Sequence, residues 1–367
     1  MSLLPTPAAW GAPRAGNRLA GIELLRFLAA IAVVLWHYRM FGAPPLSANF
    51  RVADQPFFDL LGPLYQHGHT GIQLFWTVSG AVFFYRYLDP LMRGTVRAPT
   101  FAARRFARLY PLHLATLLLV AGLQAAHQSL SGGAFMFPCN TADQFVRQVF
   151  LASEWWSSNC RGFNYPIWTV SLEVLAYALF LGLALLAPRR WVIPLGLGAA
   201  MLAWQMGRPD LSECLACFFL GGIVVRTWHG PGARWRLVLA LGIALGVATI
   251  GLMLMDAASG SPEARAAKIL LMALIVWLAL AAEPVAGLVS PVCARLGSLT
   301  YAIYLSHFPL QLALAVGAAL GAWSLDYRAP GLLFGYLVAV MVVAWLSYRL
   351  IEQPGGQWLR QRLGAGR

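Results

Sequence analysis

The stretch GIELLRFLAAIAVVLWHY, residues 21–38, is an apolar run of 18 residues with only two formally charged side chains. As a helix it would be about 27 Å long, which nearly crosses a hydrocarbon core of about 30 Å. The run ends in Trp36, His37 and Tyr38 instead of the small residues of a signal-peptidase site. It therefore predicts a retained transmembrane helix and not a signal peptide.

The remainder of the chain repeats this pattern. Hydrophobic residues make up 59% of the 367 residues and charged residues only 11%, whereas a soluble domain has about 25% charged residues. Apolar runs separated by Pro, Gly and charge predict ten spans. They are 21–40, 71–88, 108–125, 168–187, 191–206, 211–226, 236–255, 267–283, 297–319 and 331–350. The predicted fold class is all-α, a polytopic integral membrane protein with about ten transmembrane helices around a central cavity.

The distribution of basic residues predicts the orientation. With the N-terminus inside, 18 of the 27 Lys and Arg residues lie in predicted cytoplasmic segments and 8 in external ones. This bias follows the positive-inside rule and predicts that both termini lie in the cytoplasm. The expected location is a bacterial inner membrane. We therefore expect a cytoplasmic N-terminal segment at 1–20, a transmembrane domain at 21–350 and a cytoplasmic C-terminal tail at 351–367. The formal charge of +13 is explained by the basic residues that orient the protein in the membrane, and no nucleic-acid partner is expected.

The five cysteines are too few for a disulfide framework. Cys139 and Cys160 share one long loop predicted to lie outside the cytoplasm, where a disulfide between them is possible. Cys214 and Cys217 form a CxxC pair inside a predicted helix, without a second pair or a nearby His. They are interpreted as small core residues, and no metal site is predicted.

Two ionisable residues lie on one face of the first span. Arg26 and His37 are eleven residues apart, which puts them on nearly the same side of a helix and about 16 Å apart along its axis. Ionisable groups inside a membrane span usually face a cavity or a bundle interior. Arg26 is alternatively an interfacial anchor paired with Glu23, and His37 an aromatic-belt residue beside Trp36.

A second basic cluster is FAARRFARLYPLH, residues 101–113, in which Arg105 and Arg108 lie one helical turn apart. Each guanidinium offers a fixed fork of donors to phosphate oxygens. The pair therefore suits a polyanion such as the pyrophosphate of coenzyme A. Contact with lipid headgroups explains the same arginines as well.

A buried carboxyl is predicted in NYPIWTVSLEVLAYALF, residues 164–180, where Glu173 lies about one and a half turns into the span. It is expected to pair with His37 and to orient the imidazole, unless it forms a purely structural pair. Ser79, beside Gly80, favours close helix packing more than nucleophilic chemistry.

A polar stripe runs along the ninth predicted span, GSLTYAIYLSHFPL, residues 297–310. Tyr301, Tyr304 and His307 are spaced three residues apart and fit a cavity wall. Hydrogen bonding between helices accounts equally well for each of them taken singly.

Six segments, in order, resemble the acyltransferase-3 family of membrane acyltransferases, and the resemblance covers nearly the whole chain. They are GIELLRFLAAIAVVLWHY, GIQLFWTVSGAVFFY, RRFARLYP, WTVSLEVLAY, LGSLTYAIYLSHFPL and YRLIEQP. The first carries the family's Arg-x10-His signature at Arg26 and His37. One departure is Val174, which follows Glu173 where a second acidic residue is frequent in the family.

The resemblance implies an enzyme that transfers an acyl group, most often acetyl, from cytoplasmic acyl-coenzyme A to a sugar hydroxyl of an exopolysaccharide, O-antigen or lipid-linked glycan. Acyl-coenzyme A is then a co-substrate, and no permanently bound cofactor is expected. The expected catalytic residues are His37, as a general base or a transient acyl carrier, and Glu173. The other expected site residues are Arg26, Arg105 and Arg108 for the coenzyme, and Trp168, Ser171, Tyr301, Tyr304 and His307 for the substrate cavity. A transporter or flippase without covalent chemistry is the alternative.

Overall fold

The computed structural model describes residues 19–42, 50–156, 161–228, 261–282 and 290–365, and these ranges contain helices and no strand. The helices are α1 Ala20–His37, α2 Phe58–His67, α3 Gly71–Arg86, α4 Leu88–Met92, α5 Ala98–Ser131, α6 Ala142–Val149, α7 Ile167–Leu186, α8 Val192–Gln205, α9 Pro209–Trp228, α10 Pro262–Ala281, α11 Ser290–Ala319, α12 Pro330–Ser347 and α13 Gln353–Arg362. The predicted all-α membrane fold is confirmed.

Seven helices in the described ranges are long and apolar enough to cross a membrane. They are Ala20–Phe41, Ala98–Ser131, Ile167–Leu186, Pro209–Trp228, Glu263–Ala281, Pro291–Ala319 and Pro330–Arg362. The count thus differs from the predicted ten. Two predicted spans are shorter helices. Helix α3 has 16 residues and is capped at Tyr87, directly before α4, and helix α8 has 14 residues and is capped at Met206, before Gly207 with a φ of +69°. The predicted span 236–255 lies outside the described residues.

The first helix lies at the centre of the bundle. It packs along α11 on one side and contacts α3, α2 and α10 on others. Its small and β-branched residues Ala29, Ala30, Val33 and Val34 are almost fully buried. Because α1 is enclosed in this way, the polar residues it carries face protein and cavities more than lipid.

A close crossing of α3 and α9 fixes the helix that carries Ser79. A Cβ added to Gly80 would lie 1.8 Å from the carbonyl oxygen of Phe218, and one added to Gly221 would lie 2.3 Å from that of Thr77. Small residues let membrane helices approach at this distance. The predicted packing role of the Ser79–Gly80 pair is therefore confirmed for Gly80.

The helical segment beyond α12 packs against α5. Residues Tyr348–Glu352 form one π-helical turn and α13 follows directly, so the segment predicted as a tail begins inside a continuous helix. Gly356 packs on α5, where an added Cβ would lie 2.8 Å from the carbonyl oxygen of Ala107. This contact brings Glu352 beside Arg108.

The loop that carries the predicted disulfide contains the short helix α6. Cys139 is disulfide-bonded, whereas Cys214, Cys217 and Cys293 are free and buried. Cys160 lies outside the described residues, so the pairing of Cys139 with Cys160 stays a prediction. Cys214 and Cys217 are core residues, as predicted.

Candidate functional site

Two cavities open inside the bundle, and they share one wall. The larger has a volume of about 390 Å³ and the smaller about 260 Å³. We call the larger the arginine cavity, because its lining includes Arg26, Arg86, Arg104, Arg105, Arg108 and Arg360. We call the smaller the histidine cavity, because His37 and His69 line it. Ile72 and Trp76 line both cavities.

The arginine cavity is strongly cationic. Its lining contains six arginines but only two carboxylates among the described residues, those of Glu23 and Glu173. An excess of guanidinium groups in a partly enclosed space attracts a multiply charged anion, and phosphate oxygens match the guanidinium geometry.

Arg26 in this cavity is held by its neighbour on α1. Its Nη1 lies 3.1 Å from Oε2 of Glu23, one turn earlier, which is the pairing considered from the sequence. Gly297 leaves room for that carboxylate, because a Cβ added there would lie 2.0 Å from Oε2 of Glu23. Arg26 still lines the cavity, so the pair positions its guanidinium without removing it from the site.

Arg105 is held by aromatic rings instead of a carboxylate. Its guanidinium carbon lies 4.8 Å from the centre of the Phe83 ring and 4.7 Å from that of Tyr87, and the side chain donates a hydrogen bond to the Tyr87 hydroxyl. No carboxylate among the described residues pairs with it. Arg105 therefore keeps its full charge available to a ligand.

Arg108 forms an ion pair with Glu352, whose side chain is only 3% exposed. The other face of the guanidinium lies 5.3 Å from the centre of the Tyr301 ring. The Tyr301 hydroxyl in turn donates to the carbonyl oxygen of Leu109 at 2.8 Å. Arg108 thus links α5, α11 and the π-helical turn at the wall of the arginine cavity.

His37 is buried, and its contacts define its tautomer. Nδ1 lies 2.9 Å from the carbonyl oxygen of Val33, which can only accept a hydrogen bond. Nδ1 therefore carries the proton of the neutral ring, and Nε2 keeps a lone pair. Nε2 has no hydrogen-bond partner among the described residues. The helix backbone thus fixes the ring with its free lone pair on Nε2.

Polar side chains surround His37 in the histidine cavity. Gln73 donates from Nε2 to Oε1 of Glu213 at 3.2 Å, and Arg161 donates to Asp210 at 2.6 Å. Arg161 also stacks 3.9 Å above the ring centre of Trp168. Aromatic rings beside amide and carboxylate groups are the kind of surface that binds a polyhydroxylated ring through stacking and hydrogen bonds.

Burial and neighbouring charges shift the pKa values of the ion-paired groups beside the histidine cavity and of its second histidine, His69. Burial raises the pKa of the Glu154 carboxyl, and the Arg161 guanidinium opposes this rise. Burial alone would lower the pKa of Arg161, but Glu154 and Asp210 raise it. Burial, followed by the charge of Lys268, lowers the pKa of His69 to about 4.

Comparison with known proteins decides the family. Residues 19–349 match the acyltransferase domain of the acyltransferase-3 family. The chain belongs to this family. It is 28% identical to the acyltransferase MdmB of Streptomyces mycarofaciens, over 94% of this chain and 93% of the relative. It is 26% identical to the exopolysaccharide production protein ExoZ of Rhizobium meliloti, over 78% of this chain and 89% of the relative.

A third relative is the putative membrane-bound transacylase BcsY of Komagataeibacter xylinus, which is 26% identical over 97% of this chain and 89% of its own length. No solved structure matches the chain. The protein is therefore a polytopic membrane acyltransferase.

Most residues predicted for the acyltransferase site line one of the two cavities. Arg26, Arg105, Arg108, Glu173, Tyr301 and Tyr304 line the arginine cavity. His37 and Trp168 line the histidine cavity. His307 lines neither, but its ring centre lies 4.8 Å from that of His37, so the two imidazoles pack against each other.

The structure does not bring Glu173 to His37. Glu173 accepts hydrogen bonds from the hydroxyls of Ser79 and Tyr177, the latter at 2.7 Å, and it faces the arginine cavity. The expected Glu–His pair is therefore absent, because α7 turns this carboxyl toward α3 and the arginine cavity, whereas His37 lines the histidine cavity. Ser79, for which helix packing was the favoured interpretation, also holds this carboxyl, together with Tyr177.

Ser171 also differs from the prediction. Its hydroxyl accepts a hydrogen bond from the backbone N–H of Glu154 at 3.0 Å, and its carbonyl oxygen accepts one from the Trp155 indole at 3.2 Å. It lines neither cavity. Ser171 instead fastens the loop before α7 to the helix.

Three residues that line the cavities were not predicted from the sequence. Trp76 lies in the shared wall, but in the sequence it is one of several aromatic residues in an apolar helix and nothing distinguishes it. Gln73 and Glu213 lie 140 residues apart, and only the packing of α3 on α9 brings them together. Ile72, Gln73 and Trp76 fall on one face of α3, and this helical pattern is contained in the segment GIQLFWTVSG, residues 71–80.

Proposed function

We propose that this acyltransferase moves a short acyl group, most often acetyl, from cytoplasmic acyl-coenzyme A to a sugar hydroxyl of an envelope glycan. The arginine cavity binds the coenzyme, and the histidine cavity binds the sugar. The observation that carries this proposal is the pairing of a six-arginine cavity with a His37 cavity across a single wall of side chains.

Charge and shape support coenzyme A as the donor. The coenzyme carries several phosphate oxygens at one end and the thioester at the other. Arg105 and Arg26 offer donors to the phosphates, while the apolar side chains of Phe75 and Val78 line the same cavity for the uncharged arm. Arg108 adds positive charge, although Glu352 shares its guanidinium.

The chemistry follows from the free lone pair on His37. Nε2 takes the proton from the acceptor hydroxyl as its oxygen attacks the thioester carbonyl. The C–S bond breaks, and the leaving thiolate takes the proton back from the imidazolium. The products are an O-acyl sugar and free coenzyme A. The Nδ1 hydrogen bond to Val33 keeps the ring in the tautomer that this step requires.

A glycan acceptor is supported by the lining of the histidine cavity and by one relative. The cavity combines Trp168, Gln73 and Glu213, and the relative ExoZ is named for exopolysaccharide production. An exopolysaccharide, an O-antigen unit or a lipid-linked glycan presents the same ring hydroxyls to this surface. The excess of basic residues near the arginine cavity favours an inner-membrane orientation in which this cavity faces the cytoplasm.

Mass spectrometry of envelope glycans tests the proposal. We expect glycans from cells that express this chain to gain acyl-sized mass increments that mild alkali removes, because sugar esters are alkali-labile. Cells with the empty vector are the control. Unchanged glycan masses together with an altered amount of exported glycan would contradict acyl transfer and support the transporter alternative.

Arg105→Gln tests the donor site. We expect the KM for acetyl-coenzyme A to rise about ten- to a hundredfold with little change in kcat, since a hydrogen bond to a charged group contributes about 1.5–3 kcal/mol. Initial rates of coenzyme A release with the wild type and variant measure this. Arg93→Gln, outside both cavities, is the matched control. A fall in kcat at unchanged KM would contradict this role for Arg105.

A further inference from the structure

One wall separates the two cavities, and it is a single layer of side chains. Ile72 and Trp76 are the residues common to both linings, and they lie one turn apart on α3. Trp76 is the larger and is only 2% exposed. Its neighbours Phe75 and Val78 line the arginine cavity alone, while Gln73 lines the histidine cavity alone.

If donor and acceptor occupy the two cavities, as in the proposed function on which this inference rests, they react at this wall. The attacking oxygen must come within about 3–3.5 Å of the thioester carbon. The oxygen arrives from the histidine cavity, and the sulfur leaves toward the arginine cavity. The carbonyl oxygen and the alkyl chain are the two remaining substituents of that carbon. Both project sideways from the line between oxygen and sulfur, and the alkyl chain takes the direction of the space that Ile72 and Trp76 occupy.

Contacts on α7 hold Trp76 in this space. Its ring meets that of Trp168 edge to face, with centres 6.0 Å apart, and its Nε1 donates to the carbonyl oxygen of Thr169 at 3.4 Å. The Thr169 hydroxyl is fixed in turn by the hydroxyl of Tyr304 at 2.6 Å. The indole is thus a positioned side chain and not a loose one.

We infer that Trp76 sets the length of the acyl group, and that the wall it forms with Ile72 admits acetyl and excludes longer chains. A smaller side chain at position 76 opens room beside the carbonyl carbon. Each methylene that the new space buries raises kcat/KM about fourfold, given the usual gain from apolar burial. Trp76 is a specificity-determining residue and takes no part in proton transfer.

The test compares acyl-chain profiles. Permeabilised membranes from a host whose glycans gain acyl groups receive acetyl-, butyryl- or hexanoyl-coenzyme A labelled in the acyl group, and alkali-released label in the glycan fraction is counted. We expect Trp76→Leu to raise the butyryl-to-acetyl ratio of kcat/KM about fifteenfold, for roughly two accommodated methylenes. Membrane levels of each variant are matched by immunoblot.

Two control variants locate the effect. Phe75→Leu enlarges the arginine cavity alone, and Trp36→Leu the histidine cavity alone. Both should keep the wild-type ratio. If Phe75→Leu raises the butyryl-to-acetyl ratio of kcat/KM and Trp76→Leu does not, the acyl chain lies in the arginine cavity and the inference is wrong. Ile72→Ala replaces Trp76→Leu as the wall variant if the latter fails to accumulate.

The outcomes separate this inference from the proposed function. If the wild type transfers acetyl but the wall variants leave the butyryl-to-acetyl ratio of kcat/KM unchanged, the role of Trp76 is overturned. The proposed acyl transfer is then unaffected. Absence of transfer by the wild type with every acyl-coenzyme A overturns the proposed function itself.

Discussion

His37→Ala is expected to lower the kcat of acyl transfer about 10²–10⁴-fold, the usual loss when a general base is removed, and to leave the KM for acyl-coenzyme A unchanged. The Nε2 atom of His37 has a free lone pair in the histidine cavity. Among the described residues, the other imidazole that lines this cavity is that of His69. It does not line the arginine cavity, so donor binding should persist. Coenzyme A release from protein in nanodiscs, with the identified glycan as acceptor, measures both constants.

A second buried histidine serves as the control. His113 donates from Nε2 to the carbonyl oxygen of Gln148 at 2.6 Å and lines neither cavity. Glutamine retains an N–H donor, so His113→Gln should keep near-wild-type turnover. More than a tenth of wild-type kcat in His37→Ala, or a defect confined to donor KM, would remove His37 from the role of base.

Apolar length and periodicity were enough to predict where most helices lie. The predicted span 168–187 corresponds to Ile167–Leu186, and 331–350 falls inside Pro330–Arg362. The ends of the helices were harder to predict. Helix α5, for example, continues well beyond the apolar part at 108–125 into polar turns at both ends. Hydropathy detects the stretch that suits lipid, whereas backbone hydrogen bonding and caps determine where a helix stops.

Side-chain partners were predicted well only where they lie within one helix. Arg26 and Glu23 are one turn apart, and their pairing was foreseen as an alternative. Glu173 was assigned to His37 from depth alone, yet depth gives the height of a residue and not the direction it faces. Its actual partner Ser79 is on α3, which a single sequence cannot place beside α7.

The pairing of Arg108 with Glu352 shows the same limit and has the largest consequence for stability. The two residues lie 244 positions apart, and the contact exists because α13 packs on α5. The family motifs RRFARLYP and YRLIEQP, each noted separately, meet at this ion pair. A motif indicates that a charged residue has a role, but only the packing of the helices shows which opposite charge it pairs with.

Removing either charge of this pair is expected to destabilise the protein by about 3–5 kcal/mol, because the remaining partner is left buried without compensation. Arg108→Gln leaves the carboxylate of Glu352, which is 3% exposed, without a cation. The Tm should fall by roughly 10 °C. A thiol-reactive dye can follow unfolding, since Cys214, Cys217 and Cys293 are free, buried and released together when the bundle opens.

The double variant Arg108→Gln/Glu352→Gln distinguishes an ion pair from two independent contributions. Removing both charges leaves no unpaired ion, so the double variant should recover most of the Tm lost by either single variant. Arg147→Gln breaks the pair with Asp143, whose side chain is 64% exposed, and should change stability by less than about 1 kcal/mol. Additive losses in the double variant would show that the two side chains stabilise the bundle separately.

The same double variant then separates the structural role of Arg108 from donor binding. Glu352 already engages part of its guanidinium, whereas Arg105 has no carboxylate partner among the described residues. We therefore expect the KM for acetyl-coenzyme A to rise less in the folded double variant than in Arg105→Gln. A rise as large as that of Arg105→Gln would mean that Arg108 exchanges Glu352 for phosphate when the coenzyme binds, so that the donor itself loosens α13 from α5.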